Sequence, residues 1–552
     1  MLNAKSVLRF AFCVLRSAFT INHIYSTVYS LLMRTPFIIA AFALLLPFYV
    51  TAQDEPVDME MMQKIKTEAL QHSQIPMIAH YLTDVSGPRL TNSPGYFRAA
   101  NWIVQTLKQW GLQKATLEPW GEFGKGWSTT TSYIALKSPY YQPLIAYPRA
   151  WTIGTKGPLT APVIMLDTLS EAAIDQAGDA IKGSIVIVRP KDTVLASSFK
   201  AYATRYADTT NFSELKDKYM FPRSAIAPYK EMYRKIYAVR NYLAAKGAVA
   251  LLNASVNGRD GTLFVDGRIY YAKGYNSPLP EVTISIEDML RIARLERSSQ
   301  QVTLEMNFQS KWDSTDTKGY NVVGEIPGTD RQLKEQLVII GGHLDSWHSG
   351  TGATDDGAGC IVMMEVMRIL KSLGVQPKRT IRIALWGGEE QGLLGSFGYV
   401  KKHYGDPLDM KLSPEQKNVS AYYNLDNGSG KIRGIYLQNN DSAGPIFRSW
   451  LQPFAELGAT GITRSNTGST DHLSFDAVGI PGFQFIQDPL EYETRTHHSN
   501  MDTYDHLQIE DLQQAAAVIA GFVYNTAMRK DMLPRKPLTQ PERFLFDLDF
   551  KL

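Results

Sequence analysis

Near the beginning of the chain, two segments have apolar residues at helical spacing, 56–73 and 93–110. Ser93 and Pro94 open the second segment, and both residue types favour the start of a helix. A glycine follows, and residues 115–120 then have the composition of a strand. The pattern predicts two packing helices and a strand that carry no chemistry.

From about residue 320 onward, short apolar runs alternate with longer segments of helical periodicity. Strands are predicted at 337–340, 380–385 and 420–425, with helices at 359–373 and 392–404. This alternation predicts an α/β fold with a mixed, mostly parallel sheet sandwiched by helices. In such sheets, functional sites form beyond the carboxyl ends of the strands.

Between about residues 151 and 295 the pattern changes to short β-branched runs, which predicts an inserted β-rich module. Its strands are predicted at 162–166, 185–188, 249–252 and 282–286. The chain is thereby divided into five parts: a signal region (1–52), a first part of the main domain (53–145), the inserted module (146–300), the rest of the main domain (301–535) and a tail (536–552).

The first residues have the pattern of an export signal. An apolar run at 37–50 follows the basic Arg34 and leads to Ala52, a small residue of the kind that precedes a cleavage site. We therefore expect a start at Met33, cleavage after Ala52, and a periplasmic or secreted protein. A membrane anchor is the alternative, but the run is shorter than the ~20 residues that span hydrocarbon. No stable membrane insertion is expected after cleavage.

Composition narrows the functions open to the chain. Among 552 residues, 57 are basic and 54 acidic, so the formal net charge is only +3 and no large field attracts nucleic acid. A hydrophobic content of 44% is that of a folded globular protein. Cys13 and Cys360 are the two cysteines, and loss of the first with the signal leaves no pair for a disulfide.

Candidate metal ligands follow the predicted strand at 337–340. His343 lies two residues before Asp345, a spacing in which histidine binds zinc while the carboxylate accepts the proton of the other ring nitrogen. Asp355 and Asp356 lie in a glycine-rich turn, where a cation would offset the repulsion between adjacent carboxylates. Each motif also has a purely structural interpretation, and for the acidic pair this is a helix cap.

Further candidate ligands follow the next predicted strands. Glu389 and Glu390 come after strand 380–385, and paired glutamates suit a site in which one binds metal and the other moves a proton. Asp426 follows the third strand, whereas His498 lies in a later loop. With Glu389 as the general base, the candidate ligands of the types that zinc accepts are His343, Asp355, Glu390, Asp426 and His498.

This ligand set is larger than a single open catalytic zinc requires, so it predicts two Zn2+ per chain. With Asp355 bridging, His343 and Asp426 complete one site, while Glu390 and His498 complete the other. The two ions would share a water molecule and lower its pKa.

In order and spacing, these residues resemble the M28 family of co-catalytic zinc peptidases. The resemblance covers nearly all of the chain after the signal region and includes the segments 87–90 and 468–535. The segments 479–482, 497–499 and 532–535 are most similar to the carboxypeptidase Q type of that family. The inserted module resembles the protease-associated domain that several exopeptidases contain.

The resemblance implies the same five ligands, with Asp345 as the partner of the first histidine and Glu389 as the proton shuttle. It also implies a cis peptide between Asp355 and Asp356. Many members of the family place a tyrosine just before the last histidine to steady the oxyanion, but this chain has His497 there. The oxyanion donor and the residues at the substrate end are therefore left open among Tyr492, His497, Asp471 and His472.

The predicted function is that of a zinc-dependent exopeptidase acting on dipeptides or short peptides through metal-activated water. Aminopeptidase, carboxypeptidase and dipeptidase activities remain open, because pocket shape decides among them. A receptor-like binding protein and a glutaminyl cyclase-like acyltransferase are the alternatives. The complete ligand set disfavours the first, and the second metal site with the inserted module disfavours the second. The resemblance also allows a homodimer.

Overall fold

The computed structural model describes residues 55–189, 203–218 and 226–538. The predicted signal region 1–52 and most of the predicted tail lie outside the described residues. Within the described stretches, every helix is too short or too polar to cross a bilayer.

The helices alternate with strands over most of the described chain. The helices are α1 Met59–Gln71, α2 Ile75–His80, α3 Pro94–Gln109, α4 Glu171–Ala177, α5 Ile226–Ala245, α6 Ile286–Arg297, α7 Ala358–Ser372, α8 Leu394–His403, α9 Gly444–Leu451, α10 His472–Asp476 and α11 Ile509–Met528. The first nine strands are β1 Gln113–Glu122, β2 Gly126–Ser138, β3 Gln142–Pro143, β4 Ala146–Pro148, β5 Leu159–Leu166, β6 Ile185–Val188, β7 Ala250–Ser255, β8 Glu281–Ser285 and β9 Thr303–Asp313. The remaining strands are β10 Lys318–Ile326, β11 Leu337–His343, β12 Thr380–Trp386, β13 Gly405–Asp406, β14 Lys411–Leu412, β15 Val419–Asn424, β16 Ile432–Tyr436, β17 Gly461–Thr463 and β18 Gly482–Gln487.

The main sheet has the strand order β1-β10-β12-β11-β15-β18-β16-β17. Its central strands β12, β11, β15 and β18 are parallel neighbours, whereas β1, β10 and β12 pair antiparallel. The predicted strands at 337–340, 380–385 and 420–425 are present here as β11, β12 and β15. This confirms the predicted mixed, mostly parallel α/β sheet.

Helices cover both faces of this sheet because side chains along a buried strand point alternately to either side. In β11, Val338 and Ile340 join the large core formed with α1, α2, α3, α7 and α11. Ile339, between them, joins a smaller core with Tyr399 of α8 and Phe475 of α10. The buried layers on both sides hold the strand ends in fixed positions, which is what a site at those ends requires.

A second eight-stranded sheet has the order β3-β2-β9-β5-β6-β7-β8-β4. Its centre is a parallel run, β5 to β8, and the long antiparallel pair β2 and β9 continues it on one side. Both strands of that pair lie outside the predicted module 146–300. We call residues 126–313 the second-sheet region, because this range contains all strands of the sheet.

Candidate metal centre

The predicted site residues lie at the carboxyl ends of the central parallel strands. His343 is the last residue of β11, and Asp426 lies two residues beyond β15. Glu389 and Glu390 follow the end of β12 after two glycines. Since these strands are adjacent and parallel, their ends bring residues that are distant in sequence to one edge of the sheet.

Asp355 lies between the two histidines of the site. One carboxylate oxygen, Oδ1, lies 3.3 Å from His343 Nε2, and the other, Oδ2, lies 3.4 Å from His498 Nε2. The peptide between Asp355 and Asp356 is cis, as predicted. The carboxylate thus has the position of a bridging ligand, one oxygen toward each histidine.

The remaining candidate ligands form two groups around Asp355. His343 Nε2 lies 3.7 Å from Asp426 Oδ1, and we call these two residues the strand-end half. His498 Nε2 lies 2.8 Å from Glu390 Oε2, and we call these two residues the loop half. Glu389 Oε2 lies 3.8 Å from His343 Nε2, so the proposed base stands beside the ligands.

Asp345 contacts the site in a different way from the one predicted. His343 Nδ1 lies 2.9 Å from the main-chain carbonyl oxygen of Asp345, whereas the carboxylate is 3.8 Å away. The carboxylate instead accepts hydrogen bonds from the amides of Glu389 and Glu390, at 3.1 and 3.3 Å, and from the Thr91 hydroxyl at 2.9 Å. Asp345 therefore orients the histidine through its backbone and holds the paired glutamates through its side chain.

Tyr492 and His497, two of the four substrate-end candidates, face the ligands directly. The Tyr492 hydroxyl donates to Asp355 Oδ1 at 2.9 Å and lies 3.4 Å from Asp426 Oδ1. His497 Nε2 lies 3.9 Å from Asp355 Oδ2, and its ring is 3.8 Å from that of His498. One cluster of atoms close enough to share a metal ion consists of Asp355, His497 and His498, so His497 also lies within reach of a cation.

Asp471 and His472 are both fully buried. Neither carboxylate oxygen of Asp471 has a hydrogen-bond partner among the described residues, and burial raises the pKa of this group to about 8. The ring of His472 is engaged elsewhere, since its Nε2 lies 3.1 Å from the carbonyl oxygen of Thr467. Nδ1 of the His472 ring has no hydrogen-bond partner among the described residues, so both residues keep buried polar atoms without partners.

Three supporting residues were given no role from the sequence. Asp502 accepts from the Thr354 amide at 2.6 Å and from the Asp355 amide at 3.3 Å. Arg89 is buried and donates to the carbonyl oxygens of Leu344, Thr351 and Gly352 at 2.6 to 2.8 Å. Trp347 donates its indole N–H to Glu390 Oε2 at 2.7 Å. Asp502 and Arg89 lie in segments that carry the family resemblance. That resemblance is the sequence signal that could have pointed to them.

The charges of the site favour a bound cation. Burial raises the pKa of Glu390 to about 7, although His498 opposes the shift. Burial likewise raises the pKa of Glu389, and Asp471, Asp426 and Glu390 add to the effect. Several acids are thus held together where the charged form is costly, and a nearby cation would offset that cost.

The buried atoms without partners test whether a metal fits. His343 Nε2, Asp355 Oδ2 and Glu390 Oε1 are buried and have no hydrogen-bond partner among the described residues. Buried polar atoms are rarely left unpaired unless they bind something else. Imidazole nitrogens and carboxylate oxygens are ligands that zinc accepts, so the donor set fits this ion.

Comparison with known proteins gives a consistent result. The family model described as Peptidase family M28 matches residues 321–523. Carboxypeptidase Q of Xenopus laevis is 30% identical over 339 residues, which cover 59% of this chain and 68% of that protein. Carboxypeptidase Q of Bos taurus is 29% identical over 456 residues, which cover 82% of this chain and 85% of that protein.

Solved structures also match over most of the chain. The crystal structure of a peptidase M28 precursor from Shewanella amazonensis has a TM-score of 0.63 at 26% identity and covers 87% of this chain and 99% of that one. A zinc aminopeptidase from Bacillus subtilis has a TM-score of 0.50 at 20% identity, covers 90% of this chain and 99% of that one, and shares the fold.

The fold, the cluster of histidines and acids, and these matches define the chain as a peptidase, a hydrolase of peptide bonds. More specifically, the chain belongs to peptidase family M28. The prediction of an enzyme on this fold is confirmed. The protease-associated character of the inserted module and the division into domains stay predictions.

Proposed function

We propose that the chain is an exopeptidase that uses two zinc ions to hydrolyse dipeptides or short peptides. The observation that carries the proposal is the position of Asp355, whose two oxygens lie 3.3 and 3.4 Å from the two histidines. A carboxylate placed in this way can join two metal sites, with the strand-end half on one side and the loop half on the other.

Zinc bound by these residues would polarise the scissile carbonyl and lower the pKa of a water molecule. Glu389 takes the proton of the attacking water and returns it to the leaving amine. Burial and the neighbouring acids raise the pKa of Glu389 above its ordinary value, which makes its carboxylate a stronger proton acceptor. Asp345 holds the turn that carries Glu389 in place, because its carboxylate binds the Glu389 amide at 3.1 Å.

The oxyanion donor must be a residue that faces the candidate ligands. The Tyr492 hydroxyl already donates a hydrogen bond to Asp355 at 2.9 Å, whereas the His497 side chain is 34% exposed beside the ligands. We therefore favour His497 for contact with the substrate oxyanion, and Tyr492 for holding the bridging carboxylate. Asp471 and His472, which both keep buried polar atoms without partners among the described residues, remain the candidates for shaping the substrate end.

Exopeptidase action is supported by the relatives, which are named as carboxypeptidases and as aminopeptidases. Carboxypeptidases and aminopeptidases attack opposite ends of a peptide, but both act at a free terminus. The apolar run before Ala52 supports export of the enzyme, so extracellular or periplasmic peptides are the proposed substrates.

The test is a panel of dipeptides and longer peptides with free or blocked termini, assayed with and without added zinc. We expect zinc-dependent hydrolysis that is lost when one terminus is blocked, and the sensitive terminus identifies the direction of attack. Cleavage within doubly blocked peptides would contradict an exopeptidase. Cyclisation of peptides with an N-terminal glutamine, without hydrolysis, would favour the acyltransferase alternative.

A further inference from the structure

Trp347 links the loop half to the second-sheet region. Its indole N–H donates to Glu390 Oε2 at 2.7 Å, and its ring lies 5.8 Å from the ring of His498, edge to face. On its other side, the ring lies 6.2 Å from that of Trp151, which belongs to the second-sheet region. One side chain thus contacts both candidate ligands of the loop half and the neighbouring part of the fold.

The loop that carries His498 is also bound along its main chain. The Val265 amide donates to the carbonyl oxygen of His498 at 2.8 Å, and the Asn500 amide donates to that of Leu263 at 3.1 Å. Between them, Phe264 and the residue after His498 form an antiparallel bridge. The second-sheet region therefore holds this loop as it would hold an added strand.

The Asn500 side chain completes the contact. Its carbonyl oxygen accepts from the Leu263 amide at 2.7 Å, and its amide group donates to the Gly261 carbonyl oxygen at 3.1 Å. These bonds stabilise a backbone that is otherwise unfavourable, because His498 has a φ of 60°, in the left-handed region that side chains other than glycine rarely adopt.

Gly267 provides the space in which Trp347 packs. A Cβ atom at this position would lie 2.6 Å from Trp151 Cζ3 and 2.9 Å from Trp347 Cζ3, closer than real contacts allow. The backbone of the second-sheet region must therefore approach the two indole rings without a side chain. In the strand-end half, His343 is placed instead as the last residue of β11.

From these contacts we infer that the second-sheet region sets the geometry of the loop half, with Trp347 as the positioning residue that couples them. Zinc affinity at Glu390 and His498 then depends on a residue that is not itself a ligand, whereas affinity at His343 and Asp426 does not. The inference rests on the proposed two-zinc function and adds how one half of that site is held.

The experiment is a zinc titration of the full chain against a competing chelator, comparing wild type with Trp347→Phe. Phenylalanine keeps a ring but loses the N–H donor. We expect the weaker of the two binding steps to fall roughly 10–100-fold, the range for losing such a supporting partner, while the tighter step is unchanged. Trp102→Phe is the control, because Trp102 lies on α3, outside the second-sheet region, and stacks on Tyr81 with ring centroids 5.1 Å apart.

Gly267→Ala tests the same coupling from the opposite side. The added methyl should displace Trp347 and weaken the same binding step, whereas Gly121→Ala, where a Cβ would meet nothing within 4 Å, should not. An unchanged tighter step in each variant shows that the protein is folded.

Two intact steps in both Trp347→Phe and Gly267→Ala would overturn the inference and leave the proposed function standing. An equal loss in Trp102→Phe would also overturn it. A wild-type chain that binds no zinc would overturn the proposed function and this inference together.

Discussion

The two halves of the proposed metal centre are built in different ways. In the strand-end half, the side chains of His343 and Asp426 are only 1% and 8% exposed, at the ends of strands packed on both faces. In the loop half, the His498 side chain is 33% exposed, on a loop whose main chain is bound by the second-sheet region. The contrast teaches that a sheet alone fixes one half, whereas the other depends on a separate part of the fold.

The largest expected effect comes from Glu389, the proposed base, which is not a candidate ligand of either half. Glu389→Gln should lower the turnover number for a dipeptide roughly 10²–10⁴-fold, because the proton acceptor is lost. Zinc content should not change, since the ligands are untouched. The measurement combines steady-state kinetics with metal analysis, and Glu415→Gln, at an exposed position, is the control. Activity near that of wild type would show that Glu389 is not the base.

The next effect concerns the stability of the second-sheet region, on which the loop half depends. Glu281 is fully buried, with its oxygens 3.0 Å from Arg240 Nε and 3.3 Å from Arg268 Nε. Glu281→Gln leaves these arginines buried without their partner, which should lower the free energy of unfolding by about 3–5 kcal/mol. Chemical denaturation measures the change. The control is Glu296→Gln, whose partner Arg189 lies near the surface and for which about 1 kcal/mol or less is expected.

Glu281 also predicts a dependence of stability on pH. Burial alone would raise its pKa, but Arg268, Arg240 and Arg149 outweigh burial and hold the pKa below the usual range. The stabilisation is therefore present above the ordinary glutamate pKa of about 4.3 and is lost as the pH falls through the lower value in the folded state. Unfolding midpoints between pH 3 and 7 should fall more steeply in acid for wild type than for Glu281→Gln. Parallel curves would contradict this assignment.

A smaller loss is expected on removing the carboxylate that holds the paired glutamates. Asp345→Asn keeps the size of the side chain and the main-chain contact to His343, but replaces one acceptor oxygen by a donor. Activity should fall roughly 10–100-fold, as for other groups that orient a metal site. Thr91→Val removes a hydroxyl that lies 2.9 Å from Asp345 Oδ2 and 2.5 Å from Gln391 Oε1, and it should cost less because both main-chain donors to Asp345 remain. A larger loss in Thr91→Val than in Asp345→Asn would refute the role given to the carboxylate.

The smallest effect sharpens the comparison between the halves. When a chelator is added stepwise, zinc at the loop half should leave first, because His498 is 33% exposed whereas His343 is 1% exposed. His498→Ala should remove the early step and leave the late one. Loss of both ions in a single step would show that the halves are not distinct.

Much of the fold could be predicted from the sequence, because buried strands such as β11 and β12 are short apolar runs bounded by glycine or charged residues. The pair β2 and β9 was not foreseen as part of the second sheet. Thr129, Thr130 and Thr131 interrupt the apolar pattern in β2, and the partner strand lies far along the chain. A pairing of this kind depends on tertiary contact rather than on local composition.

The same distinction between local pattern and tertiary contact applies to the site. His343, Glu389 and Asp426 could be expected to meet, because each follows a strand of one parallel sheet. The partners of the Asp345 carboxylate, the amides of Glu389 and Glu390, could not be predicted in this way, because they lie in the turn after a different strand, β12. The role of Trp347 likewise depends on how closely the second-sheet region approaches, and no local pattern records that distance.

The central claim, that one carboxylate joins two metal sites, is tested most directly by the zinc content of the purified full chain and of Asp355→Asn. The account predicts two zinc ions for wild type and a loss from both halves in the variant, because Asp355 lies 3.3 Å from His343 and 3.4 Å from His498. Two ions retained by Asp355→Asn, or a single ion in wild type, would contradict it.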